Sequence, residues 1–368
     1  MRTTPHSNRR TFLKAAGVGG VALLAGCVAA PAQEPENGNS DQPTQTPSNQ
    51  PVELEPPREL EIDSVAADPT DIPPPVDWDE PRHHEIELFT TERIAEVEPG
   101  VTFQYMTFND QIPGPMIRVR RGDTVHFTLE NPEDQGMLHN IDFHAVYGPG
   151  GAAVHTNVLP GETAEVEFKA MYPGVHIYHC AVPDMDYHIS AGMFGAILVE
   201  PEDGLPEVDR ELYFGQHELY TNGSAGEEGH HSFDMQSMFD EDPTYVLLNA
   251  EAYGFTENGK QGPVIVEKGD RIRVFLANGG PNLTSAWHPI GNVWTNLYRD
   301  GDLVSAPSRY VETTPVAPGT VAAAEMDTPV PGPIKLVDHA LSRVRAKGLL
   351  AVIQVEGEEE PDIYNPNP

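Results

Sequence analysis

Gly122-Asp123-Thr124-Val125-His126-Phe127-Thr128-Leu129-Glu130 alternates apolar and polar side chains without a break after its Gly-Asp start. A period of two marks a half-buried β-strand, because successive side chains leave a strand on opposite faces. The same device returns at Gly269-Asp270-Arg271-Ile272-Arg273-Val274. Three more correspondences follow in the same order. Leu159-Pro160-Gly161 matches Ala317-Pro318-Gly319, Tyr172-Pro173-Gly174 matches Val330-Pro331-Gly332, and the closing run Ala196–Glu200 matches Ala351–Glu356. Self-similarity at a spacing of about 150 residues indicates duplication of one unit, each copy being the size of a Greek-key β-sandwich. The expected fold class is all-β, with two tandem Greek-key sandwiches over residues 83–202 and 203–358 and a tail over 359–368. The acidic stretch Gly223–Asp242 reads as a surface loop between strands.

Composition agrees with this and excludes several functions. The 36 Pro and 33 Gly count against an all-α fold. Against 22 Lys+Arg stand 57 Asp+Glu, a net charge of −35 over 368 residues. Such a surface repels phosphates, which excludes nucleic acid as a partner. An acidic excess spread along the whole chain is expected of a halophilic protein. The two cysteines, Cys27 and Cys180, provide no disulfide framework.

Before the repeat lies an address. Ser7-Asn8-Arg9-Arg10-Thr11-Phe12-Leu13-Lys14 precedes an apolar run from Ala15 to Ala25, and paired arginines before a short apolar segment resemble a twin-arginine export signal. The run is shorter than the roughly 20 residues a membrane span needs. It ends Leu24-Ala25-Gly26-Cys27, similar to a lipoprotein cleavage box. Residues 1–27 are thus expected to be an export signal, leaving the protein anchored by a lipid on Cys27 at the outer face of the cytoplasmic membrane. Residues 28–82, rich in Pro, Gln, Asn and Glu, read as a disordered tether.

The first sandwich carries a concentration of metal-binding side chains. One segment reads Leu138-His139-Asn140-Ile141-Asp142-Phe143-His144; the other reads Tyr178-His179-Cys180, with His188 and Met193 following. Two imidazoles, a thiolate and a weak axial thioether are the ligand set of a blue-copper electron-transfer centre, assigned to His139, Cys180, His188 and Met193. Strand parity then points to a second site. If Cys180 faces one metal, His179 faces the other way. His139 and His144 are an odd number apart and diverge likewise on a regular strand, whereas Asp142 shares the face of His144. A carboxylate and two imidazoles gathered there suggest a catalytic metal that lacks a third protein ligand. The repeat offers candidates: His179-Cys180 corresponds to His339-Ala340, and Leu138-His139 to Trp287-His288. The second copy has lost the thiolate but kept two histidines.

On His139-Asn140-Ile141-Asp142-Phe143-His144, Tyr178-His179-Cys180 with His188 and Met193, Trp287-His288-Pro289-Ile290, and Asp338-His339, the chain resembles the copper-containing nitrite reductases across residues 83–357. The resemblance implies two cupredoxin domains, a homotrimer, and two coppers per chain. Type 1 copper would take His139, Cys180, His188 and Met193. Type 2 copper would take His144 and His179, with His339 from a neighbouring subunit. Asp142 is implied as catalytic acid, His288 as the second proton-relay residue, and Ile290 as an apolar wall of the substrate pocket. The implied reaction takes nitrite, one electron and two protons to nitric oxide and water, the electron crossing from the first site to the second through the Cys180–His179 peptide. A small blue-copper protein is the expected donor. The loop Ala181–Tyr187 is one residue shorter than the family commonly carries.

Two other classes fit these residues less well. A two-domain multicopper oxidase of the laccase type needs a trinuclear cluster fed by several His-X-His pairs, but Cys180 is followed by Ala181 and His144 has no partner two residues away. A cupredoxin electron carrier would leave His144, Asp142, His288 and His339 without a reason. The pairs His83-His84 and His230-His231 read as solvated surface, and Met235 and Met238 as packing or exposed residues.

Overall fold

The computed structural model describes residues 53–368. The export signal, Cys27 and the first part of the expected tether lie outside them. The first domain comprises β1 (His83–Glu98), β2 (Val101–Phe108), β3 (Gly114–Arg120), β4 (Thr124–Glu130), β5 (Asp142–Phe143), β6 (Thr163–Lys169), β7 (Gly174–His179), the short helix α1 (Met185–Ser190) and β8 (Phe194–Glu200). The chain continues with β9 (Arg210–Leu219), β10 (Gly229–His231), α2 (Met235–Phe239), β11 (Tyr245–Leu248), β12 (Val264–Glu267) and β13 (Arg271–Gly280). It closes with β14 (Ser285–Ile290), β15 (Trp294–Tyr298), β16 (Ser308–Val311), β17 (Thr314–Val316), β18 (Thr320–Asp327), β19 (Gly332–Asp338), α3 (Ser342–Ala346) and β20 (Ala351–Glu356).

The first sandwich packs a sheet ordered β10-β2-β1-β4-β6 on one ordered β3-β8-β7-β5. The second packs β11-β9-β13-β18-β15-β16 on β12-β20-β19-β14-β17. The duplication is visible in the pairing. β4 lies between parallel β1 and antiparallel β6, as β13 lies between parallel β9 and antiparallel β18. Likewise β8 pairs antiparallel β7 and parallel β3, as β20 pairs antiparallel β19 and parallel β12.

The opening alternation behaves as its pattern demands: Val125, Phe127 and Leu129 are fully buried, and Phe127 meets Phe143 of the facing sheet edge-on at 5.0 Å. In the second copy the alternation fails. β13 and β18 belong to a sheet covered on both faces, so Phe275, Ala277, Val321 and Ala323 enter the first domain's core while Val274, Leu276, Ala322 and Ala324 enter the second's. A doubly covered strand reads as a continuous apolar run. Arg273 is buried there and donates to Glu325 Oε1 at 2.6 Å and Glu211 Oε1 at 2.7 Å; Glu211 also receives Arg118 of the first domain at 2.5 Å. Buried charges are tolerated when paired in this way.

Two expectations need correction. Residues 53–82 do not form a free tether: Val65 and Ala67 are buried, Ile112 N–H donates to Val65 O at 2.7 Å, and Tyr213 N–H to Pro69 O at 2.8 Å. Proline prevents regular structure here, but a few buried side chains and main-chain bonds to both domains still order the strap. Nor is Gly223–Asp242 merely a surface loop. Its β10 adds to the first domain's sheet beside β2, and His230, His231 and Met238 are buried. His230 pairs with Thr102 Oγ1 at 3.1 Å and His231 with Thr221 Oγ1 at 2.9 Å, so that histidine pair is packed rather than solvated.

Candidate metal centres

β7 lies between β8 and β5 in its sheet, and its C-terminal end delivers two ligand residues in succession, His179 and Cys180. Its register places Asp142 of β5 directly opposite His179, so the two share a face and Cys180 points away from both. Cys180 is fully buried, and its N–H donates to Met193 O at 3.1 Å. Its Sγ lies 3.6 Å from His188 Nδ1 and 3.9 Å from His139 Nδ1, the two rings standing 5.2 Å apart at 73°. His188 rides on α1, so the short loop Ala181–Tyr187 still returns its ring to the sulfur. The loop is braced by Asn140, whose Oδ1 accepts the Ala181 N–H at 2.7 Å, and by the Met193 N–H donating to His188 O at 3.0 Å. Met193 is fully buried beside them.

This donor set fits copper. Burial pushes the Cys180 thiol up, against main-chain groups that pull the other way. Burial, then the neighbouring His139, push His188 down to about 4. The pocket therefore holds a neutral imidazole beside a neutral thiol whose proton a soft cation would displace on binding, with sulfur and nitrogen converging.

On the opposite face of β7, Asp142, His144 and His179 bring ligand atoms within 4.8 Å of one another. His144 Nε2 and His179 Nε2 are 3.1 Å apart. The His179 Nδ1–H donates to Cys180 O at 2.9 Å, which leaves its Nε2 lone pair turned to the site. Burial, and then His179, hold His144 below the ordinary histidine range, opposed by Asp142. Gly151 closes over this edge, where a Cβ would stand 2.1 Å from Asp142 Oδ1. The divergence of His139 from His144 arises differently from the expected regular strand. Only Asp142–Phe143 is strand, and His139 sits in an isolated bridge with Val158.

The second-copy residues form a separate group. Trp287 pairs with Asp338 between β14 and β19, which brings the His288 and His339 rings to 5.3 Å. The His288 Nδ1–H donates to Glu312 O at 2.6 Å. Buried Asp338 accepts the Ala286 and Ala340 N–H groups at 3.0 and 2.9 Å, fixing the turn that carries His339. Ile290 and His339 are exposed. Among the described residues, the only clusters of three or more His, Cys, Asp or Glu with metal-binding spacing are His139–Cys180–His188 and Asp142–His144–His179, and His339 is in neither. No third group with the multiplicity of a trinuclear cluster is present among them. Asn140 had no signal beyond its place next to His139.

Residues 90–204 match the multicopper oxidase family. A multicopper oxidase of known structure shares the fold at TM-score 0.63 and 26% identity, over 74% of this chain and 89% of that one. The copper nitrite reductase of Nitrosomonas europaea superposes at TM-score 0.67 and 30% identity, over 76% of this chain and 96% of that one. The copper-containing nitrite reductase of Neisseria meningitidis is 39% identical over 302 residues, which span 82% of this chain and 77% of the relative. With 39% identity over 82% of its length, the chain belongs to the copper-containing nitrite reductases.

Proposed function

We propose that this protein reduces nitrite with one electron and two protons to nitric oxide and water, with His139, Cys180, His188 and Met193 holding type 1 copper and His144, His179 and a neighbouring subunit's His339 holding type 2 copper. The observation that carries this reading is the back-to-back placement of two ligand clusters on consecutive residues, His179 and Cys180. Copper would supply one-electron chemistry at both sites and a Lewis acid at the second. The peptide between Cys180 and His179 would link the two sites by a short covalent path. Asp142, level with His179 and within reach of His144, is placed to give a proton to the oxygen that leaves as water. His288, its Nδ1–H engaged by Glu312 O, keeps Nε2 for the second proton. Ile290 supplies an apolar wall.

A homotrimer is supported by the division of the residues between two exposed groups of one chain. Large apolar side chains left exposed, among them Tyr147, Val154, Leu159, Ile290, Val293 and Tyr310, offer surface suited to a subunit contact. The paired arginines and Cys27 support export by the twin-arginine route and a lipid anchor on the outer face of the cytoplasmic membrane, where a small blue-copper protein would serve as donor. The charge of −35 supports a halophilic habit. Anaerobic production of nitric oxide from nitrite by the copper-loaded protein with an artificial reductant tests the reaction; its absence from fully metallated protein contradicts the reading.

A further inference from the structure

The buried ring of His139 has two nitrogens with different neighbours. Nδ1 faces the Cys180 sulfur. Nε2, fully buried, has no hydrogen-bond partner among the polar atoms that surround it most closely, yet Glu92 Oε1 lies 3.5 Å away, at the outer limit of such a bond. Glu92 is not a surface acid that drifted there. It sits within β1, its side chain 11% exposed, and its carboxylate is clasped by main-chain donors: Met137 N–H at 2.9 Å and Gly136 N–H at 3.2 Å. Its own N–H donates to Gln135 Oε1 at 2.6 Å. Gly136 makes room for this, since a Cβ there would stand 3.0 Å from Glu92 Oε2. The clasp holds an acceptor-only, negatively charged group against the one nitrogen of His139 that a metal on Nδ1 would leave as N–H.

We propose that Glu92 is a positioning residue of the Cys180 site, holding His139 in the Nε2–H tautomer and lowering the site's reduction potential by its charge. A carboxylate behind a ligating histidine fixes the ring and makes its other nitrogen a stronger donor. A negative charge one imidazole from the metal favours the oxidised, more positive state over the reduced one, so the acceptor of the incoming electron is tuned from outside the ligand set. The inference rests on reading His139, Cys180 and His188 as copper ligands.

Redox titration of the sulfur-to-copper band in copper-loaded, full-chain Glu92→Gln tests it, because glutamine keeps the shape and an oxygen for Gly136 and Met137 but removes the charge. The expected result is a potential higher by on the order of 59 mV, a tenfold change in a one-electron equilibrium, while Glu92→Asp stays near the parent value. A potential and band unchanged in Glu92→Gln would overturn the proposal. Should that variant fail to fold, proton NMR of the reduced parent protein decides: a His139 Nε2–H resonance shifted downfield and protected from solvent exchange by a bond to Glu92 supports the proposal, and one at the position of an unbonded imidazole N–H refutes it. Absence of the band from the parent itself would instead overturn the copper reading on which the proposal rests.

Discussion

The imidazole of His179 is pinned to the carbonyl of the next residue, its Nδ1–H donating to Cys180 O at 2.9 Å. The His179–Cys180 peptide spaces the imidazole and the sulfur onto opposite faces of the strand, and the carbonyl of the following peptide, Cys180 O, selects the tautomer that turns the His179 Nε2 lone pair toward His144.

The proposed function makes Asp142 the proton donor at the open site. Asp142→Asn keeps the size and loses the transferable proton. Turnover is expected to fall by about 100-fold or more, with copper content and the sulfur-to-copper band unchanged. Steady-state nitric oxide production beside metal analysis checks this; parent-like turnover would remove the role assigned to Asp142.

The division of ligands between exposed groups predicts complementation. His144→Ala chains alone and His339→Ala chains alone should each lose the second copper and their activity. If the chains assemble as the proposed homotrimer, co-expression should bring an intact His144–His179 pair against an intact His339 in mixed trimers, and activity should return. Activity that fails to return in mixed trimers of verified composition would place all three histidines in one subunit.

Much of this arrangement was legible in the sequence. Strands whose one face is solvated, such as Thr124–Glu130, declare themselves by alternation, and the ligand residues lie close enough in sequence for strand parity to sort His179 from Cys180. What escaped was set by contacts remote in the chain. Nothing local marks Gly229–His231 as the partner of β2, since a three-residue strand carries too little pattern, and so the burial of His230 and His231 was invisible. Val65 and Ala67 are too few to outweigh their Pro-rich surroundings. Arg273 occupies a regular polar position and is buried only because the first domain covers that face. Glu92, over 40 positions from His139, shows no motif at all.

Burial alone holds the fully buried His217 uncharged, pushed down to about 4 despite the bond of its Nδ1–H to Ser190 O at 2.8 Å. In the unfolded chain it titrates near 6.5. As pH falls from about 6.5 to about 4, the unfolded chain takes up a proton that the fold refuses, and about 3 kcal/mol of stability is lost through this one group. His217→Gln keeps an N–H donor without the titration, so its unfolding free energy should decline less across that window. Denaturant titrations at both ends measure the difference, and equal declines would contradict it.

The charge of −35 predicts a salt requirement. Mutual repulsion acts over a Debye length of about 10 Å at 0.1 M salt and about 3 Å at 1 M. The melting temperature should therefore rise from 0.1 M to molar potassium chloride. A flat or falling series would argue against a halophilic protein.

The most direct test of the two-copper arrangement is electron paramagnetic resonance, with optical absorption and metal analysis, on fully metallated protein before and after nitrite. Two coppers per chain are predicted: one with a sulfur-to-copper band that nitrite leaves alone, and a second, non-blue Cu(II) signal that nitrite shifts. A single copper, or a second signal indifferent to nitrite, would contradict the account.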